Sequence, residues 1–325
     1  MAHMIEDNKM FSVVQEPWHK QGVVLDSPPT SEEAIKAAGM DWDVLKLQLF
    51  YTPGYGSYSM HPAENAFGLF RETDNKLFGV VSEDYTVVQN RESFAFFDPL
   101  VREGMADYET AGVLTDGRVW VLARVRGDMQ IGPDEVRRYL LLANDHSGSG
   151  SVQIQPTMIR VVCNNTLRAS LSSGFVFRQA HRQGVHDRMN DVRNNLMATV
   201  AQFDDIAEDL NRMTQVQLAG KAIDDYFRTV ADVDTSEVAD EDAFINRAES
   251  NKLKAVEVMH ELHLNGLGAA PATRGTLWGA YNAAVEFADW RMGARSKDRA
   301  RYQLFGAGGE FKDRAFKTAV ELAAA

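Results

Sequence analysis

Cysteine is almost absent: Cys163 is the only one in 325 residues. An intramolecular disulfide is therefore excluded, and so is a zinc site built on several thiolates. No stretch approaches the roughly 18 consecutive apolar residues of a membrane helix, and no basic-then-apolar leader opens the sequence. A cytoplasmic location in a host cell, without a membrane partner, is the expectation. Net positive charge is missing too. The balance is −12, with a pI of about 5.2. That disfavours a protein coated in nucleic acid but leaves room for a local basic groove on an acidic body. No nucleophile–base pair and no complete metal-ligand set can be named, so no catalytic residue, metal or cofactor is assigned.

What is present is the composition of a folded globule. Hydrophobic residues make up 45% and charged residues 25%, enough for a substantial core and too apolar for disorder. The pattern reads as α+β: an antiparallel β-rich region with short helices over 1–184, and a helical region packed on it over 185–325. The second region can belong to the same domain. Thr30 or Ser31, followed by Glu32 and Glu33, starts a short helix. Trp42 to Val125 is mainly β, with hairpins expected across Glu72–Lys76 and across Thr115-Asp116-Gly117. Asn90 is placed to cap a helix that runs to Gly104. Gly148-Ser149-Gly150 lacks the Lys and following helix of a phosphate loop and reads as a hairpin turn. Gly306-Ala307-Gly308-Gly309 reads as a helix-to-helix turn.

The chain is organised around Pro156 to Ser173. Met158, Ile159, Val161 and Val162 make a buried strand that includes Cys163. Asn164, Asn165 and Thr166 can each cap a helix, and Leu167, Ala169 and Leu171 continue as that helix to Gly174. Such a junction aims backbone donors at one spot, where an anion can sit between Arg160 and Arg168. The same pattern also describes a well-capped core helix. Beyond it, Arg178, His181, Arg182, His186, Arg188 and Arg193 form the one basic tract of an acidic chain, with Phe175 and Phe177 beside it.

Cations interleaved with aromatics suit a single strand: guanidinium groups meet phosphates while rings stack on bases. The candidate nucleic-acid-binding set is therefore Arg160, Asn164, Asn165, Arg168, Phe177, Arg178, Arg182 and Arg188. The competing reading is a solvated helix start whose arginines pair with Asp204, Asp205 and Glu208. Farther on, Asp232 to Asp242 resembles an acidic linker, and Glu257-x-x-His260 has the spacing of one metal-ligand pair without its second. Thr276 is placed to cap a helix whose stripe of Leu277, Trp278, Tyr281, Ala284 and Val285 is expected to pack on the β-rich region.

Four stretches in order carry a family resemblance. They are Pro17-Trp18-His19, then Arg160-Val161-Val162-Cys163-Asn164-Asn165-Thr166-Leu167, then Thr273-Arg274-Gly275-Thr276-Leu277-Trp278-Gly279, and Leu304-Phe305-Gly306. Together they resemble a family of phage- and plasmid-encoded proteins catalogued as domain of unknown function 932. The resemblance implies a mobile-element setting and supplies no activity or site residues. More remotely, the order of hairpins, strand and helix is similar to that of Rad52-like phage single-strand annealing proteins, which assemble into rings or filaments. The combined expectation is a non-enzymatic protein that binds single-stranded DNA as a homo-oligomer, in annealing or recombination. The alternative is an interaction protein that binds a host defence or replication factor, or a phage protein, through its acidic surface.

Overall fold

In the computed structural model the described residues are 5–14, 20–54, 59–160, 165–167, 177–233, 247–293, 302 and 306–325. The fold is α+β, with mostly antiparallel sheets in the N-terminal part and helices in the C-terminal part. Its centre is a meander of β6 (Ala106–Leu114), β7 (Arg118–Ile131), β8 (Asp134–Asp145) and β9 (Ser151–Arg160). The period-2 pattern of β7 explains the layering. Val119, Val121, Ala123 and Val125 are fully buried, while Trp120, Leu122 and Arg124 between them are half-buried. Gly117 turns β6 into β7 at φ 87, a conformation that favours glycine, so the Asp-Gly hairpin forms as the sequence indicates.

Two strands from distant parts of the chain extend this sheet. β1 (Ile5–Val13) pairs antiparallel with β6, and β2 (Val23–Leu25) lies parallel to β1 at the end of the order. At the opposite end, β10 (Asn165–Leu167) and β11 (Phe177–Ala180) both pair with β9, on Met158–Arg160 and Ser151–Ile154 respectively. This corrects the expected strand-to-helix junction. Asn165-Thr166-Leu167 is a strand, because the chain doubles back onto β9 and satisfies the backbone groups of an otherwise open edge. No helix N-terminus is presented at Asn165. Cys163, like the Trp18 stretch and most of the 232–242 segment, lies outside the described residues.

A second sheet is formed by β3 (Val44–Tyr51), β4 (His61–Arg71) and β5 (Leu77–Val81), with the hairpin across 72–76 joining the last two. On its outer face Leu45 stands in register with Phe70 and Leu77, and Leu47 with Gly68 and Val80. Leu45, Leu47, Leu77 and Val80 are exposed. The two sheets are joined by Arg71, which is 1% exposed and lies over the Trp42 and Phe78 rings at 4.7 and 5.3 Å. Its guanidinium donates to Glu6 of β1 at 2.5 Å.

Three short helices pack on this frame: α1 (Ser31–Ala37), α2 (Asn90–Ala95) and α3 (Asp98–Arg102). Thr30 and Glu33 form a reciprocal capping box on α1. For α2 the N-cap is Gln89, one residue before the expected Asn90. The Asn90 side chain instead faces inward and donates to Met40 O and Trp42 O.

The helical region comprises α4 (Val185–Asn194), α5 (Leu196–Gln215), α6 (Lys221–Ala231), α7 (Arg247–Asn265), α8 (Leu277–Trp290) and α9 (Ala307–Ala324). Its axis is α8, buried from Leu277 through Glu286 on every side instead of along one stripe, as expected of a helix surrounded by others. Thr276 caps it through Gly279 N, and Trp278 donates to Asp134 of β8 at 2.7 Å. Gly306 is the N-cap of α9, so Gly308 and Gly309 belong to its first turn and are not a loop.

Candidate nucleic-acid interface

The basic tract folds as β11, a tight turn and α4, at the edge of the large sheet. Successive strand residues point to opposite faces. Arg178, opposite Gln153, donates from Nε to Ser151 Oγ at 3.3 Å. Gln179, on the other face, accepts from Arg188 Nη1 at 3.0 Å. Arg182 sits exposed on the turn that Gly184 closes. Arg178 and Arg188 thus lie on either side of β11 with Arg182 at its end.

Among the described residues none of these three arginines is paired with a carboxylate. Elsewhere several cations are matched with acids, Arg118 with Asp145, Arg124 with Asp128 and Arg126 with Asp107, while Lys46, Arg274 and Arg314 donate to backbone carbonyls. Asp204, one expected partner of the tract, pairs with Arg138 instead. Phe177 is half-buried against the core in register with Ile154. For Arg160 and Asn165 the backbone alone is described; Asn164 and Arg168 lie outside the described residues.

Beside this edge three loops enclose a polar cleft of about 1010 Å³. One wall is the β8–β9 turn with Gly148, Ser149 and Gly150, a hairpin turn as its sequence indicates. Asp145 shapes that turn by accepting from Ser147 N at 2.8 Å. Burial alone would raise the Asp145 carboxyl, but hydrogen bonds at Ser147 and the buried Arg118 guanidinium hold it below its ordinary value. The second wall is the loop from β5 to α2, with Glu83 and Asp84 exposed and Tyr85 half-buried. Lys46 Nζ pins this loop by donating to the carbonyls of Glu83 and Tyr85. The third wall is 180–183 of the basic tract.

The loops are stitched together at Tyr85 and His181. Their rings are parallel, with centroids 4.7 Å apart. The phenol donates to Asp145 O at 3.3 Å, and burial with the nearby Asp145 charge pushes its pKa up, so it stays protonated. Thr86 N donates to His181 O, and His181 Nδ1 lies 3.1 Å from Thr86 O. A carbonyl can only accept, so Nδ1 carries the proton and Nε2 holds a lone pair. Nε2 is buried and has no partner among the described residues. Burial also lowers the His181 pKa and keeps the ring neutral. Behind it, His146 is wholly buried against Trp42 and Phe78, donates to Asn90 Oδ1, and is pushed down to about 3 by desolvation.

Arg182 and the hairpin turn were each visible in the sequence, but their meeting was not. Tyr85 carried no signal: Tyr85-Thr86-Val87-Val88 has strand composition, yet it forms a loop. The Glu257-x-x-His260 pair has a different partner, since His260 Nε2 lies 3.1 Å from Asp224 Oδ1 on α6.

Comparison with known proteins gives one match. Residues 77–305 fit the family model described as Domain of unknown function (DUF932). No curated protein matches the chain, and no solved structure does.

Proposed function

We propose that this chain, which belongs to the DUF932 family, binds single-stranded nucleic acid along the β11–α4 edge. In this reading it serves a phage or other mobile element as a non-enzymatic annealing or recombination mediator and works as a homo-oligomer. The observation that carries the reading is that, among the described residues, Arg178, Arg182 and Arg188 pair with no carboxylate, in a chain of net charge −12. Exposed cations on an acidic body have surplus carboxylates available nearby. Leaving three of them unmatched at one sheet edge provides contacts for an external polyanion. The acidic surround disfavours a duplex lying across the surface and favours a strand that follows the edge.

The test is a salt titration of a fluorescent oligonucleotide. Binding should weaken with a log–log slope of about −0.7 for each phosphate neutralised. Arg178→Ala, Arg182→Ala and Arg188→Ala should each weaken binding and flatten the slope by about one contact's worth, with little dependence on base sequence. Light scattering with and without the oligonucleotide reads assembly. Absence of binding at low salt would overturn the proposal and return the acidic surface to consideration as a protein-binding face.

A further inference from the structure

Phosphate contacts alone leave the neighbouring cleft without a purpose. Its volume of about 1010 Å³ is at the upper end for small-molecule sites. Tyr85 lines it as an immobilised ring. One face is covered by His181, the hydroxyl is tied to Asp145 O, and the backbone carbonyl is held by Lys46. Glu83 and Asp84, the two residues before it, line the same wall, and Arg182 stands on another.

These groups match the parts of a nucleotide. A fixed aromatic ring stacks on a base without losing rotamer freedom, a carboxylate accepts from an exocyclic amine, and a guanidinium binds phosphate. We propose that the cleft receives one nucleotide of the bound strand, its base stacked on Tyr85 and its phosphate at Arg182. Glu83 and Asp84 then favour amino-bearing bases. Thymine and uracil present a carbonyl where cytosine carries its amine, and a carboxylate facing that carbonyl is repelled. This inference rests on the nucleic-acid reading above and adds a base preference that backbone contacts cannot supply.

The decisive experiment compares oligo-dC with oligo-dT of equal length by fluorescence anisotropy at fixed low salt. Wild-type protein should prefer oligo-dC by about tenfold, in line with one carboxylate–amine contact. Glu83→Gln with Asp84→Asn should erase that ratio, whatever the general gain from removing two negative charges. Tyr85→Leu should weaken both strands about tenfold with an unchanged salt slope, whereas Tyr85→Phe, which keeps the ring but loses its tie to Asp145 O, should weaken them less. Equal binding of the two strands by wild type, or a dC preference that survives the acid substitutions, would overturn the cleft inference and leave the arginine contacts standing. Failure to bind either strand would overturn both. If Tyr85→Leu does not fold, the ratio measured on the acid variant still decides.

Discussion

Arg71 and His146 show how much of this protein's stability rests on single buried polar groups. Arg71 lies over the Trp42 and Phe78 rings and bonds to Glu6, whose carboxylate also takes Lys9 and Lys76. Removing it leaves a buried carboxylate with weaker compensation and a void over the two rings. Arg71→Ala should cost about 3–5 kcal/mol in a urea unfolding titration. Shifted groups also set an acid limit, among them His146 and Glu6. His146 titrates near 3 when folded, against 6.5 for an ordinary histidine, so between those values the unfolded chain binds the extra proton. Stability is therefore lost as pH falls below about 6.5, by up to about 1.4 kcal/mol per pH unit for this one residue. Burial alone would raise Glu6, but hydrogen bonds from Arg71, Lys76 and Lys9 bring it down to about 2. Its contribution is present above 4.5 and declines below that. His146→Gln should make the stability profile shallower between pH 6.5 and about 3, while the part of the decline below 4.5 that belongs to Glu6 remains. An unchanged slope in that variant would show that another group controls the upper limit.

Among the elements, α8 concentrates the packing of the helical region. Trp278 is fully buried and bonds to Asp134, so Trp278→Ala should destabilise by about 3–5 kcal/mol, read as a lower melting temperature. Gly79 marks another close approach. A Cβ there would overlap the Ser147 carbonyl, so Gly79→Ala should force β5 away from the β8–β9 turn. The cost should be about 1–3 kcal/mol, and in the same variant oligonucleotide binding should fall because the cleft walls separate. The elements also show what the sequence could convey. Hairpins at Asp116-Gly117 and 72–76 were legible because turn chemistry is local. The strand Asn165–Leu167 was not, because Asn-Asn-Thr has the composition of a helix cap and only the free edge of β9, elsewhere in the fold, decides otherwise. Trp278 was legible as core. The full enclosure of α8 was not, since burial on every side depends on the helices around it.

At the scale of the molecule, the candidate site is a meeting of three loops that the sequence keeps apart: residues 80–86, 148–150 and 180–183. The basic tract stood out against an acidic background, so Arg178, Arg182 and Arg188 were legible as candidates from charge alone. Tyr85 needed the fold. The same long-range construction places β1 between β2 and β6, with Met10 and Phe11 buried. β1 is made before β6, which begins at Ala106, about 90 residues later. A ribosome adding about 5–20 residues per second needs roughly 5–20 s to cover that distance. For that interval a nascent β1 has no β6 to pair with, so a pause before Ala106 prolongs the time in which the unpaired strand, with Met10 and Phe11 uncovered, is open to the wrong neighbour.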